Sequence, residues 1–143
     1  MRSLCRTIFL FSLSLSIATP AFASGKLVSG PRVGDEVDIV SISGIGTRHA
    51  VIKVKLTAGE ETYLTDHIEG DCVSGWFTML YRGMGRLRFF GKRKHPATGG
   101  GAHYLIVSSK YGPLNGTTVS SYGEALEQYN ALCPGRADMT LDQ

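Results

Sequence analysis

Arg48-His49-Ala50-Val51-Ile52-Lys53-Val54-Lys55-Leu56 is the stretch on which the fold turns. Ala50, Ile52, Val54 and Leu56 fall at every second position, with Val51, Lys53 and Lys55 between them. Successive side chains of a strand point to opposite faces, so this period of two predicts one buried face and one mixed, wetter face. Gly44-Ile45-Gly46-Thr47 just before it is a turn, and residues 35–43, with Val37, Ile39, Val40 and Ile42, form a preceding strand. Two strands joined by a short glycine-containing turn make a hairpin.

Outward from the hairpin, residues 57–71 are polar and hold five acids, Glu60, Glu61, Asp66, Glu69 and Asp71, with Tyr63 and Leu64 as a short edge strand. Residues 72–82 alternate as a long strand, with Trp76, Thr78 and Leu80 on one side and Phe77, Met79 and Tyr81 on the other. Gly83-Met84-Gly85 turns it, and residues 86–91 return. Residues 92–101 read as a basic, then glycine-rich loop, and residues 103–109 as a further strand. Ser121-Tyr122-Gly123-Glu124 has the pattern of a helix-starting capping box. Ala125, Leu126, Tyr129, Leu132 and Cys133 then share one helical stripe, and Pro134-Gly135 ends it. The expected fold is α+β: an antiparallel meander of about five to six strands packed by one C-terminal helix.

Ahead of this domain lies a leader. Arg2 and Arg6 precede an apolar run of about ten residues, 8–17, and Ala21-Phe22-Ala23 makes a small-x-small end beyond it. That run is half the ~20 residues of a membrane span, and Pro20 follows it. Residues 1–23 are therefore expected to be a signal peptide, residues 24–34 a flexible segment, residues 35–135 one α+β domain and residues 136–143 a loose tail. The expected location is periplasmic or secreted. Cys5 precedes the apolar run and is not placed for lipid attachment. Removing the leader lowers the formal net charge from +3 to +1. That is little for a general polyanion binder, so the distribution of charge matters more than its sum. Two cysteines remain, Cys72 and Cys133, and an even count in an exported chain reads as a disulfide. It would staple the helix to the sheet and close a loop worth about 4 kcal/mol on the chain-entropy account.

Catalytic signatures are weak. Thr98-Gly99-Gly100-Gly101 lacks the Lys-Ser/Thr of a phosphate loop. Val73-Ser74-Gly75 lacks the first glycine of a nucleophile elbow. His49, His67, His95 and His103 show no ligand spacing, and the acids around His67 read as a solvated loop rather than a cation site. No catalytic residue, metal or cofactor is expected. The unusual feature is basic: Arg82, Arg86, Arg88, Lys92, Arg93 and Lys94 fall within 13 positions, with Phe89 and Phe90 among them. On a strand, Arg86, Arg88 and Phe90 share one face and Leu87 and Phe89 the other. Such a patch suits a protein or polyanionic ligand, glycosaminoglycan or lipopolysaccharide, through charge-assisted contacts. The competing reading is a charged edge that blocks sheet-to-sheet pairing. Nucleic acid is not an expected partner of an exported chain.

Val37-Asp38-Ile39-Val40-Ser41-Ile42 with its glycine turn, Glu69-Gly70-Asp71-Cys72, Leu80-Tyr81-Arg82-Gly83 and a helix ending at Leu132-Cys133 follow one another in an order that resembles the surface-adhesin protein E family of small exported bacterial proteins. The resemblance spans roughly residues 35–133. It implies an antiparallel sheet on a helix, a Cys72–Cys133 bond, and adhesion to host matrix proteins. The expected function is accordingly an exported, non-enzymatic, adhesin-like binding module. The alternative is a periplasmic inhibitor of a hydrolase such as lysozyme, with residues 98–104 plugging the enzyme's cleft.

Overall fold

A computed structural model describes residues 26–27, 36–58, 61–80, 82–95, 102–114 and 121–138. The expected leader therefore lies outside the described residues, as do most of residues 24–34 and residues 139–143. The hairpin that anchors the sequence reading is present as β2 (Glu36–Ser43) and β3 (Ala50–Ala58). Around it stand β1 (Lys26–Leu27), β4 (Glu61–Asp71), β5 (Trp76–Phe77), β6 (Leu87–Lys92), β7 (Tyr104–Ser108), β8 (Gly112–Pro113) and the helix α1 (Ser121–Leu132). All strands pair antiparallel with their neighbours in sequence, so one sheet runs β1 to β8 in order. The meander is as expected, but among the described residues it has eight strands rather than five or six. Three of them are only two residues long.

Two segments depart from expectation. Residues 61–71 form an 11-residue strand paired on both sides, rather than a polar segment with only a short edge strand at Tyr63 and Leu64. Ile68 is buried opposite Ile52, while Thr65, His67 and Glu69 alternate outward. Residues 72–82 are not one long strand. Asp71 Oδ1 accepts the N–H groups of Val73 (2.8 Å) and Ser74 (3.2 Å), and Gly75 takes a φ of 80°. This aspartate-capped turn uses up residues 72–75, leaving β5 two residues before Arg82–Met84 forms a 3-10 turn. Met79 and Leu80 are both buried, so the expected alternation fails there as well.

The core lies between one sheet face and α1. Ala50, Ile52, Val54, Ile68, Phe77, Leu87 and Ile106 are buried from the sheet, and Tyr122, Ala125, Leu126, Tyr129 and Leu132 from the helix. In β2 the register shifts between Ile39 and Ser41, so Ile39 and Ile42 both pack inward while Val40 is exposed. Such a bulge resets the alternation without ending the strand. Tyr129 lies between Phe77 and Phe89, with ring centroids at 5.0 and 4.3 Å. Burial raises its phenol above the ordinary range. Full burial of large apolar side chains contributes roughly 1.5–3 kcal/mol each. One buried polar side chain, Gln128, is satisfied: its Oε1 accepts the Leu80 N–H at 3.0 Å.

The expected disulfide joins Cys72 to Cys133, with Cα atoms 5.5 Å apart. Beside it the Gly46 N–H donates to the last helical carbonyl, Leu132 O, at 2.9 Å. The helix end, the β2–β3 turn and the start of the 72–75 turn thus meet at one corner. After the helix, the Asp138 N–H donates to Tyr104 Oη at 2.6 Å.

Candidate functional site

With α1 on one face, the opposite face of the sheet is open among the described residues. Its centre is Trp76. Strand register sets Trp76 beside Asp71 of β4 and Arg88 of β6. The Arg86 and Arg88 guanidinium carbons each lie 5.3 Å from the Trp76 ring centre, and that of Arg88 lies 4.8 Å from the Phe90 ring. Cation–π contacts of this kind reach within about 6 Å. Arg86, Trp76, Arg88 and Phe90 therefore form one alternating ladder of cations and rings, with Phe90 exposed.

The ladder is held from below. Arg88 Nε donates to Ser74 O at 3.3 Å, and the Phe89 N–H donates to Gly75 O at 2.9 Å, which docks the 72–75 turn against β6. The Arg86 N–H donates to Ser109 Oγ at 2.9 Å. Hydrogen bonds from Ser74, first its hydroxyl and then its N–H, keep the Asp71 carboxyl below the usual carboxylate range against the opposing effect of burial. The Val73 N–H and the Arg48 guanidinium, 3.9 Å away, act in the same direction.

Beside the ladder is a cleft of about 350 Å³. Arg48, Val51, Glu69, Asp71, Trp76 and Arg86 are among its walls. Among the described residues, Arg86 and Arg88 have no carboxylate partner. No three His, Cys, Asp or Glu side chains there gather around a common point.

The structure divides the basic cluster. Arg86, Arg88 and Phe90 stand together as the alternation predicts. Arg93 is turned to internal use: its Nε donates to Tyr104 O at 3.0 Å and its Nη2 to Leu114 O at 2.7 Å. A bulge between Phe89 and Lys92 shifts the alternation, so Lys92 registers opposite buried Tyr104, on the other face from Arg88. Lys94 is exposed. Arg82 falls in the 3-10 turn, and its side chain lies outside the description. So do residues 98–101 of the expected plugging loop. Sequence reasoning missed Trp76 as a site residue; the lone tryptophan of the chain was the available signal. It also missed Glu69, Asp71 and Arg48.

Compared with protein-family models, curated proteins and solved structures, the chain matches none. No helix among the described residues is long and apolar enough to cross a membrane.

Proposed function

We propose that this protein is an exported, non-enzymatic binding module, adhesin-like in role. Its ligand is an anionic group, sulfate, phosphate or carboxylate, on an acidic protein or a polyanion such as glycosaminoglycan or lipopolysaccharide. The observation that supports this reading is the Arg86–Trp76–Arg88–Phe90 ladder. A guanidinium stacked on a ring keeps its N–H donors in the plane of its edge, where a tetrahedral or planar anion meets them. Holding the side chains in place beforehand reduces the ordering cost of binding. Lys94 adds attraction without geometry.

Retention on heparin tests the reading. Arg86→Glu/Arg88→Glu removes two charge-assisted contacts, each worth about 1.5–3 kcal/mol, so affinity falls at least ~100-fold. Trp76→Leu keeps the charge but removes the stack, so elution moves to lower salt. Arg93→Ala lowers the melting temperature more than it lowers retention, because its guanidinium holds two carbonyls. Unchanged retention of Arg86→Glu/Arg88→Glu refutes the assignment.

A further inference from the structure

The open face has a second pattern, in rows that run across the strands. Val51 of β3 registers with Glu69 of β4. Thr78 follows β5 beside Glu69, its N–H donating to Glu69 O at 2.8 Å and its Oγ1 accepting the Glu69 N–H at 3.1 Å. Because Phe77 registers with Leu87, Arg86 comes next on the far side of Thr78. The first row is thus Val51, Glu69, Thr78, Arg86. The second is Asp71, Trp76, Arg88, Val107. Each row runs from a carboxylate on β4 to a guanidinium at β6, two strand spacings or about 10 Å away. Lys53 and Lys55 register with His67 and Thr65, outside both rows.

We propose that this face closes on a second copy of the chain about a two-fold axis lying in the face and running along β5. Such an axis carries β4 of one copy over β6 of the other and keeps each row above its own counterpart. Glu69 then meets the partner's Arg86, and Asp71 meets the partner's Arg88, while Thr78 and Trp76 lie near the axis. Both charge pairs occur twice, as a self-complementary interface requires. The cleft of about 350 Å³ between Glu69 and Arg86 receives the incoming side chain, in the manner of aligned sheets whose side chains interdigitate.

Size sets the strength. From β3 to β7 is four strand spacings, about 19 Å, and a six-residue strand such as β6 is about 20 Å long. The flat footprint is roughly 400 Å² per copy, half of the ~800 Å² per partner of a standard stable interface. The pair is therefore weak, reversible and salt-sensitive.

The test needs no ligand, so its outcome is independent of the anion-binding reading. Sedimentation equilibrium at low salt, from about 10 to about 500 µM to bracket a weak dissociation constant, is expected to show the mass of the processed chain doubling. About 0.5 M salt returns it towards the monomer by screening. Arg86→Glu and Glu69→Arg each place like charges opposite one another twice, so each variant stays monomeric. Mixed in equal amounts they form the heavier species again, because every facing pair is once more of opposite sign. That rescue also shows that neither variant failed merely by misfolding. A wild-type chain that stays monomeric throughout, or a mixture no heavier than its components, overturns the proposal. Retention of Glu69→Arg on heparin reports separately on the anion site.

Discussion

Gly75 and Gly46 give a paired measurement of how the turn beneath the ladder is held. Their φ angles are nearly equal, 80° and 78°. Alanine at either position meets left-handed strain of about 1–2 kcal/mol, and both gain the same small benefit from a less flexible unfolded chain. The space around them differs. At Gly46 nothing lies within 4 Å of an added Cβ, whereas at Gly75 that atom would stand 2.3 Å from Phe89 O. Relief requires the Phe89 peptide to move by about 1 Å to regain an ordinary contact distance. That displacement loosens the Phe89 N–H bond to Gly75 O, worth about 1 kcal/mol. It also disturbs the stack of Phe89 on Tyr129, worth about 0.5–1.5 kcal/mol. Gly75→Ala should therefore cost about 2 kcal/mol more than Gly46→Ala, or roughly 8 °C of additional loss in Tm for a domain of this size. Urea and thermal unfolding of both variants, with the disulfide intact, measure the difference. Gly75→Ala should also weaken heparin retention, because Ser74 O, the support of Arg88, belongs to the same turn. Equal destabilisation by the two substitutions would refute the claim that the docked turn, and not backbone strain alone, requires glycine.

Replacing both cysteines by alanine opens a loop whose ends are 61 positions apart. The expected cost is about 4 kcal/mol, a fall in Tm of roughly 15 °C, and a fall under 3 °C would argue against the staple as a main source of stability. Asp71 gives a pH signature: its folded carboxyl lies below its unfolded value, so its contribution is present above the ordinary carboxylate range and disappears as pH falls through the folded value. Asp71→Asn keeps an acceptor oxygen for the turn, so its deficit in urea midpoint should be full at pH 7 and shrink progressively as pH falls below the ordinary carboxylate range; a deficit independent of pH would refute this.

Residues 50–56 declared themselves because every inward position is apolar. In β4 the inward positions include Asp66 and Gly70. Gly70 is confined by Leu132 and Phe77, each 3.2 Å from where a Cβ would stand. That requirement comes from the helix, not from local preference, so in isolation the segment reads as polar with no more than a short edge strand at Tyr63 and Leu64. The break after Cys72 was more accessible, since Asp71 two and three residues before its N–H donors, followed by Gly75, is turn chemistry. The alternation of Trp76, Thr78 and Leu80 outweighed it. On the site, Arg86, Arg88 and Phe90 follow from a period of two. The tryptophan between the two arginines does not, because it belongs to a different strand and arrives only through register. Arg93 looked equivalent to its neighbours until folding brought two carbonyls, from distant parts of the chain, within its reach.

The order of the sheet also dictates a timetable. Because each strand pairs only with its predecessor and successor, a chain emerging from its amino end can zip up ribbon by ribbon, with short loops to close each time. The thiol of Cys72 is in position midway through that process, yet its mate Cys133 is delivered last, directly after α1. Oxidation is then a closing latch that seals a sheet already assembled.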